Sequence, residues 1–385
     1  MKKKIIRITT VPISLSGLLQ GQLKYMSNHF DVLGISSTGK GNQLEKIKHQ
    51  EGIPVVAVEM TRKITPIKDI IAVWKLYKVF KKENPFIVHS HTPKAGTLSM
   101  LAAKLARVPH RLHTIAGLPL VEATGFKRIL LNIVEKGTYA CASKIYPNSF
   151  GLKDIILNHK FTIKEKLKII ANGSSNGINT TYFKPSFFEN PTKEKTFKEQ
   201  LNISTNDFVF IFVGRLVSDK GVNELLLAYD KISRSCQNVK LLLVGGYETE
   251  LDPLLPKSLE IIENNKTIIS TGWVDEVRPY FAVSNALVFP SYREGFPNVV
   301  MQAGAMELPS IVTNINGCNE IIESNTHGLI IPIKDDKAIY QAMTHILNNK
   351  NEAIKMGKQS RINIASKYET QRVWEALLAE YQSLN

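Results

Sequence analysis

In the stretch Ala286-Leu287-Val288-Phe289-Pro290-Ser291-Tyr292-Arg293-Glu294-Gly295-Phe296-Pro297-Asn298-Val299-Val300-Met301-Gln302, an apolar run gives way to a turn and then to a proline. The run from Ala286 to Pro290 is short enough for a buried strand. Pro297 suits the first position of a helix. The order is therefore strand, loop, helix, with Glu294 in the loop at the C-terminal end of the strand. Asn298 and Gln302 are four residues apart and share a helix face. The first N–H groups of such a helix lack intrahelical partners and point toward the loop. They favour a negative ligand such as a diphosphate. The same pattern also fits an ordinary strand–helix turn with a solvated glutamate.

A second stretch has the same form. Val209-Phe210-Ile211-Phe212-Val213 reads as a buried strand, followed by Gly214-Arg215-Leu216-Val217-Ser218-Asp219-Lys220-Gly221. Helical spacing follows through Leu225, Leu226 and Tyr229. Arg215 and Lys220 thus share one strand–helix loop. Arginine offers a planar fork and lysine a compact charge, and both suit a phosphate. The spacing excludes a Walker P-loop. A loop that pairs its charges locally through Asp219 is the alternative.

Taken together, the Arg…Lys-Gly loop and the Glu-Gly-Phe-Pro stretch, about 75 residues later, resemble the family-4 retaining glycosyltransferases of the GT-B class. The resemblance runs over nearly the whole chain. It implies α/β architecture: two Rossmann-like, doubly wound parallel-sheet domains facing a cleft. It places Arg215 and Lys220 on the diphosphate of a nucleotide-sugar donor. The helix start at Pro297, Asn298 and Val299 also lies against that diphosphate. Glu294 contacts the donor sugar. A second glutamate of the family motif, which holds the ribose, is replaced here by Gln302, whose amide oxygen still accepts one hydrogen bond.

The chain has 385 residues and a net charge of +15. At that length, two domains with real cores are expected. Residues 1–190 hold 29 Lys+Arg and 11 Asp+Glu, a net +18, so the remaining half carries −3. Such asymmetry suggests a polyanionic partner for the first half: membrane surface, nucleic acid or an acidic substrate. Cys141, Cys236 and Cys318 lie far apart, with neither disulfide nor zinc spacing, which fits a reducing compartment. The Lys-rich start reads as a first strand, since Arg7 interrupts its apolar run. No apolar run reaches membrane-spanning length.

In the first half, Ile5–Thr9, Val32–Ser36, Val55–Val58, Phe86–His89, Arg111–Ile115 and Lys144–Pro147 read as strands alternating with helices, hence a parallel sheet. The loop after the first strand contains Gly17, where backbone can approach a ligand. The resemblance puts that loop near the donor phosphates and the acceptor. His89 and His91 share a strand face. No third ligand at suitable spacing accompanies them, so packed or ligand-contacting histidines are expected rather than a metal site. The resemblance turns His113 toward the donor sugar as a hydrogen-bonding group. The run His89–Pro119 looks like that of transferases that extend lipid-linked sugars on undecaprenyl diphosphate.

Pro66–Glu83 is an amphipathic helix candidate, with Ile67, Ile70, Ile71, Trp74, Tyr77 and Phe80 among Lys68, Lys75, Lys78, Lys81 and Lys82. Basic helices with aromatics can lie on anionic membranes. Taken by itself, this helix reads better as a core helix with a solvated lysine face. Phe126–Leu131 has similar character.

In the second half, strands are expected at Val209–Val213, Lys240–Val244, Thr267–Ser270, Ala286–Phe289, Ser310–Thr313 and Leu329–Ile331. Trp273 lies in a loop that, by resemblance, borders the donor's base. The predicted organisation is an N-terminal acceptor-side domain at 1–172, a linker at 173–207, a donor domain at 208–366, and a terminal helix at 367–385 that crosses back. The resemblance implies transfer of a hexose or N-acetylhexosamine from a nucleotide sugar, UDP-linked, to an undecaprenyl-diphosphate-linked saccharide. It further implies retention at the anomeric carbon without a metal or other cofactor, and a cytoplasmic enzyme peripheral to the bacterial membrane. A soluble small-molecule acceptor is the nearest rival. A nucleic-acid-binding protein is a more distant one, since no RNA-binding motif is present.

Overall fold

Every apolar run singled out above is a strand in the computed structural model, which describes residues 2–61, 63–118, 124–248 and 252–384. The first six are β1 Lys4–Ile8, β2 Asp31–Ser36, β3 Val55–Ala57, β4 Ile87–Ser90, β5 His110–Ile115 and β6 Lys144–Pro147. The second six are β7 Phe208–Val213, β8 Val239–Val244, β9 Ile268–Gly272, β10 Ala286–Phe289, β11 Ser310–Thr313 and β12 Gly328–Ile331. Pro119, at the end of the His89–Pro119 run, lies outside the described residues.

The strands form two six-stranded sheets, ordered β3-β2-β1-β4-β5-β6 and β12-β11-β10-β7-β8-β9. All strand pairs within them are parallel. Read from β9, the second order repeats the first. Both are the Rossmann order, in which chain direction across the sheet reverses once and ligands bind outside the strand ends at that reversal. The reversal falls between β1 and β4 in the first sheet and between β7 and β10 in the second.

The chain divides into two compact units, 1–176 with 371–385, and 177–370. The stretch expected as a linker therefore belongs largely to the second unit. Its turn formers and charges conceal three apolar anchors, since Ile178, Phe183 and Ile203 are buried in that unit's core. Asn190 caps the intervening helix Pro191–Gln200 by accepting from Thr192 N. Residues 367–370, expected in the terminal helix, also stay with the second unit, where Ile178 N donates to Tyr368 O at 2.8 Å.

In the first unit, alternation along β1 sends Ile5 to one core layer and Ile6 and Ile8 to the other. The terminal helix Thr370–Gln382 fills Ile5's layer with Leu377 and Tyr381. Arg7, on the central strand, is fully buried. It donates to His91 Nε2 at 3.0 Å and to Gln22 Oε1 at 2.5 Å. Because a guanidinium only donates, His91 is unprotonated at Nε2 and carries its proton on Nδ1.

The helix Pro66–Glu83 has the predicted limits, but of the six apolar residues named for it only Phe80 is fully buried. It buries Ala72, Leu76 and Phe80 and leaves Ile67, Ile70, Ile71 and Trp74 exposed. Apolar residues line both of its sides, and the smaller set was enough to fill the space beside the sheet. Among the described residues, no helix is long and apolar enough to cross a membrane.

Candidate functional site

The reversal point of the second sheet brings the two quoted stretches together. Buried β7 delivers the loop Gly214–Gly221, and neighbouring β10 delivers the loop Pro290–Pro297. The loops are bolted by backbone and side chain. Tyr292 N donates to Asp219 O at 2.9 Å, and Arg293 Nη2 donates to Asp219 Oδ2 at 2.7 Å. Gly221 has φ +70°, and a Cβ there would collide with the carbonyl oxygen of Pro290. Only glycine allows both the left-handed turn and this approach.

Within this frame Lys220 Nζ donates to Glu294 Oε1, in an ion pair that is mostly buried on both sides. Two candidates 74 residues apart in sequence thus face each other directly. Arg215 is half-exposed and pairs with Glu248 from the loop after β8. Both cations expected to meet a diphosphate are therefore held by carboxylates. A sugar-linked diphosphate, with one negative charge on each phosphate, can engage both cations at once and would compete with the carboxylates for them.

The helix after the Glu294 loop runs Asn298–Ala305, so Pro297 is its N-cap rather than its first helical residue. Proline's fixed φ suits either place, and its observed ψ of 113° leaves it just outside the helix. No side chain caps this end. The first N–H groups are thus left for another partner, at the positive end of the helix dipole. Asn298 and Gln302 lie on one face of this helix and are partly exposed. Trp273 follows Gly272 at the end of β9 and is 69% exposed, an aromatic face open to stacking.

Sequence reading missed the residues that hold Glu294 in place. Asn316, in the loop after β11, donates through Nδ2 to the backbone carbonyl of Glu294 and, at 3.4 Å, to that of Gly295. Tyr292 OH donates to Glu224 Oε1 at 2.6 Å. No motif marks Asn316 in the sequence, and only the folded sheet brings it to the Glu294 loop.

The other two candidates belong to the first unit. Gly17 is not in an open loop but in the helix Pro12–Leu18, where a Cβ would meet nothing within 4 Å. The short run Pro12-Ile13-Ser14-Leu15 was enough to start a helix, with proline at its first turn and Leu15 buried. His113 is buried at the end of β5, where Nδ1 pairs with Ser90 Oγ at 2.8 Å. Its ring presses on the backbone of the preceding helix, Pro93–Leu105, at Gly96, where any Cβ would strike the imidazole. His89 and His91 are likewise packed. His89 is bonded to Tyr381 OH at 2.5 Å and Thr114 Oγ1 at 2.7 Å. Among the described residues, no cluster of three or more His, Cys, Asp or Glu could hold a metal.

Burial holds the His113 imidazole down at about 4, against 6.5 in the unfolded chain. Burial also lowers His89 and His91, with Arg7 and neighbouring histidines adding repulsion. All three are neutral when folded, so the unfolded chain binds more protons as pH falls below 6.5. Stability is then complete above that pH and is lost toward pH 4, by about 2 kcal/mol at pH 5 from His113 alone. The urea midpoint of the first unit should therefore fall between pH 7 and pH 5. An unchanged midpoint would show that these histidines are not buried in neutral form.

Two Rossmann-order sheets, with a cation–carboxylate pair and an uncapped helix N-terminus at the reversal point of the second, make the architecture of a GT-B glycosyltransferase. Residues 13–149 match the family described as glycosyl transferase 4-like, and residues 193–363 match glycosyl transferases group 1. The capsular polysaccharide biosynthesis glycosyltransferase CapM of Staphylococcus aureus is 32% identical over 382 residues, covering 99% of this chain and 97% of that one. An Escherichia coli UDP-Gal:alpha-D-GlcNAc-diphosphoundecaprenol alpha-1,3-galactosyltransferase is 31% identical and covers 76% of this chain and 74% of its own. Anabaena HepE, solved in complex with UDP and glucose, superposes with a TM-score of 0.83 at 15% identity, over 99% of this chain and 100% of that one. The chain belongs to the group 1, family-4-like glycosyltransferases, and is a hexosyltransferase-type enzyme.

Proposed function

We propose that this enzyme transfers a hexose or N-acetylhexosamine from a UDP-linked sugar to a saccharide carried on undecaprenyl diphosphate. The product would serve a capsule, O-antigen or lipopolysaccharide. The enzyme works peripherally on the cytoplasmic face of a bacterial membrane. The observation that carries this reading is the Lys220–Glu294 pair at the sheet's reversal point, with Arg215 in the same loop as Lys220. The relatives' names, one a capsule transferase and one acting on a diphosphoundecaprenol substrate, support the acceptor class.

In this reading Lys220, Arg215 and the N–H groups of Asn298 and Val299 at the Pro297 turn meet the departing diphosphate. Preorganised donors of this kind stabilise charge that develops in the transition state. They take the place of a divalent metal, so no cofactor is required. Glu294 accepts from a donor-sugar hydroxyl, and the anomeric configuration is retained. Trp273 borders the uracil.

The test is a screen of UDP- and GDP-sugars for protection against melting, followed by label transfer to an undecaprenyl-diphosphate saccharide with chelator present. Protection by a UDP-hexose or UDP-N-acetylhexosamine, and transfer that survives chelation, is the expected result. Protection by GDP-sugars alone, or transfer only to soluble acceptors, would overturn the donor or the acceptor assignment.

Gln302 gives a separate test of the ribose contact. A neutral amide offers one acceptor oxygen where glutamate offers two, at a loss of about 1 kcal/mol. Gln302→Ala should raise the donor KM with little change in kcat, the signature of uniform binding. Gln302→Glu should stay active. A dead Gln302→Glu enzyme, or Gln302→Ala kinetics identical to the parent's, would remove Gln302 from the ribose.

A further inference from the structure

Three helices, Pro66–Glu83, Pro93–Leu105 and Gly125–Cys141, pack side by side over one face of the first sheet. Their inner sides build the core through Leu76, Leu98 and Tyr139. Their outer sides should be polar on a surface helix of a globular protein. The two flanking helices break this rule. Ile67, Ile70 and Trp74 stand at i, i+3 and i+7 and are 77%, 71% and 55% exposed. Phe126, Ile129 and Ile133 repeat the same spacing at 79%, 57% and 63%. Single exposed apolar residues need no explanation, but aligned stripes of this kind on one helical layer mark an interaction surface.

The charges around the stripes identify the partner. Lys68 and Lys75 flank the first stripe and Lys127 the second, all exposed. Between Lys63 and Lys82 the one carboxylate is Asp69, and Lys94 neutralises it in a largely buried pair. From Phe126 to Ile133 there is none. Lys78 lies over the Trp74 ring, 5.2 Å from its centroid, so a cation and an aromatic face occupy the same level. The exposed Glu59, which accepts from Thr38, lies near Lys75, but cations outnumber acids around the stripes, and apolar side chains with such an excess of cations complement an anionic bilayer interface. A protein partner or a second copy of this chain would have to supply carboxylates opposite the lysines.

We propose that the outer face of this helical layer docks on anionic lipid, with the Ile67–Trp74 and Phe126–Ile133 stripes inserted at the headgroup boundary. Lys68, Lys75 and Lys127 then remain at the level of the lipid phosphates. The inference deepens the membrane reading given above: it names the surface and makes apolar insertion, not charge alone, the source of binding.

The test is sedimentation of the full-length enzyme with phosphatidylglycerol-containing vesicles at low and high salt, and with neutral phosphatidylcholine vesicles. The parent should bind the anionic vesicles, with part of that binding resisting salt. Trp74→Ser with Phe126→Ser should lower partitioning at least about tenfold at both salt concentrations. Lys68→Gln with Lys75→Gln should remove only the salt-sensitive part, because exposed charges are screened. Ile354→Ser, at an exposed position of the second unit, should change nothing. Turnover of a soluble short-chain diphosphate acceptor should be normal in every variant, which also shows that each is folded. Unchanged vesicle binding by the Trp74/Phe126 variant would overturn the assigned face while leaving peripheral attachment standing. A parent that stays in the supernatant yet extends a lipid-linked acceptor in detergent would overturn the docking proposal and leave the acceptor reading intact. A dimeric parent made monomeric by the same substitutions would assign the face to self-association instead.

Discussion

Lys220→Ala is expected to lower turnover by roughly 100-fold or more, the loss seen when a preorganised stabiliser of transition-state charge is removed. That is about 2.7 kcal/mol of barrier. Lys220 is mostly buried and fixed against Glu294, so its charge acts where water screens it poorly. Arg215 is half-exposed, and Arg215→Ala should cost less than Lys220→Ala while still cutting turnover strongly. The fold should survive both changes. The bolt between the two loops is made by Asp219, Tyr292 and Arg293, and the tight approach to Pro290 by Gly221. Single-turnover rates with the donor established by the screen, alongside circular dichroism, decide the matter. A folded Lys220→Ala enzyme with near-normal turnover would mean that this lysine does not hold the diphosphate.

The strands were legible because each is a short apolar run closed by turn formers, as in Ala286–Phe289 before Pro290 and Val209–Val213 before Gly214. Burial on both faces of a parallel sheet makes such runs continuous. The strand order was not contained in any one run; the family resemblance implied only the doubly wound class, and the order is seen in the folded sheets. Which residues would meet was harder still. Lys220 and Glu294 could be named separately, but their pairing depends on β7 and β10 being neighbours. Glu248 and Asn316 lie in loops without a motif, and only the folded sheet brings them to Arg215 and to the Glu294 backbone. Two misreadings share a cause. Periodicity shows that a helix has an apolar side but not which side the protein covers. On Pro66–Glu83 six apolar residues were read as one side, whereas the buried side shares only Phe80 with them and adds Ala72 and Leu76. Between 177 and 207, charge and turn residues outweighed Ile178, Phe183 and Ile203, although three well-placed anchors suffice to pack a segment onto a core.

Glu294→Ala is expected to reduce kcat by roughly 100-fold or more, with the donor KM unchanged or lowered. Both parts follow from the pair. In the free enzyme Glu294 occupies Lys220, so a donor diphosphate must take the lysine from the carboxylate. Removing the carboxylate frees Lys220 for the phosphate and favours ground-state binding. It also removes the acceptor that fixes the sugar, and that loss is felt most in the transition state, where orientation matters most. Glu294→Gln should fall between parent and alanine variant, since an amide oxygen still accepts from a hydroxyl but no longer holds the lysine by charge. The double variant Lys220→Ala, Glu294→Ala should lose less than the product of the two single losses, because groups that act as one unit are not additive. Steady-state kinetics on the four proteins separate these outcomes. A raised donor KM with kcat preserved in Glu294→Ala would make Glu294 an ordinary binding contact. Strictly multiplicative losses in the double variant would mean that the pair seen in the free enzyme is broken before the chemical step and plays no part in it.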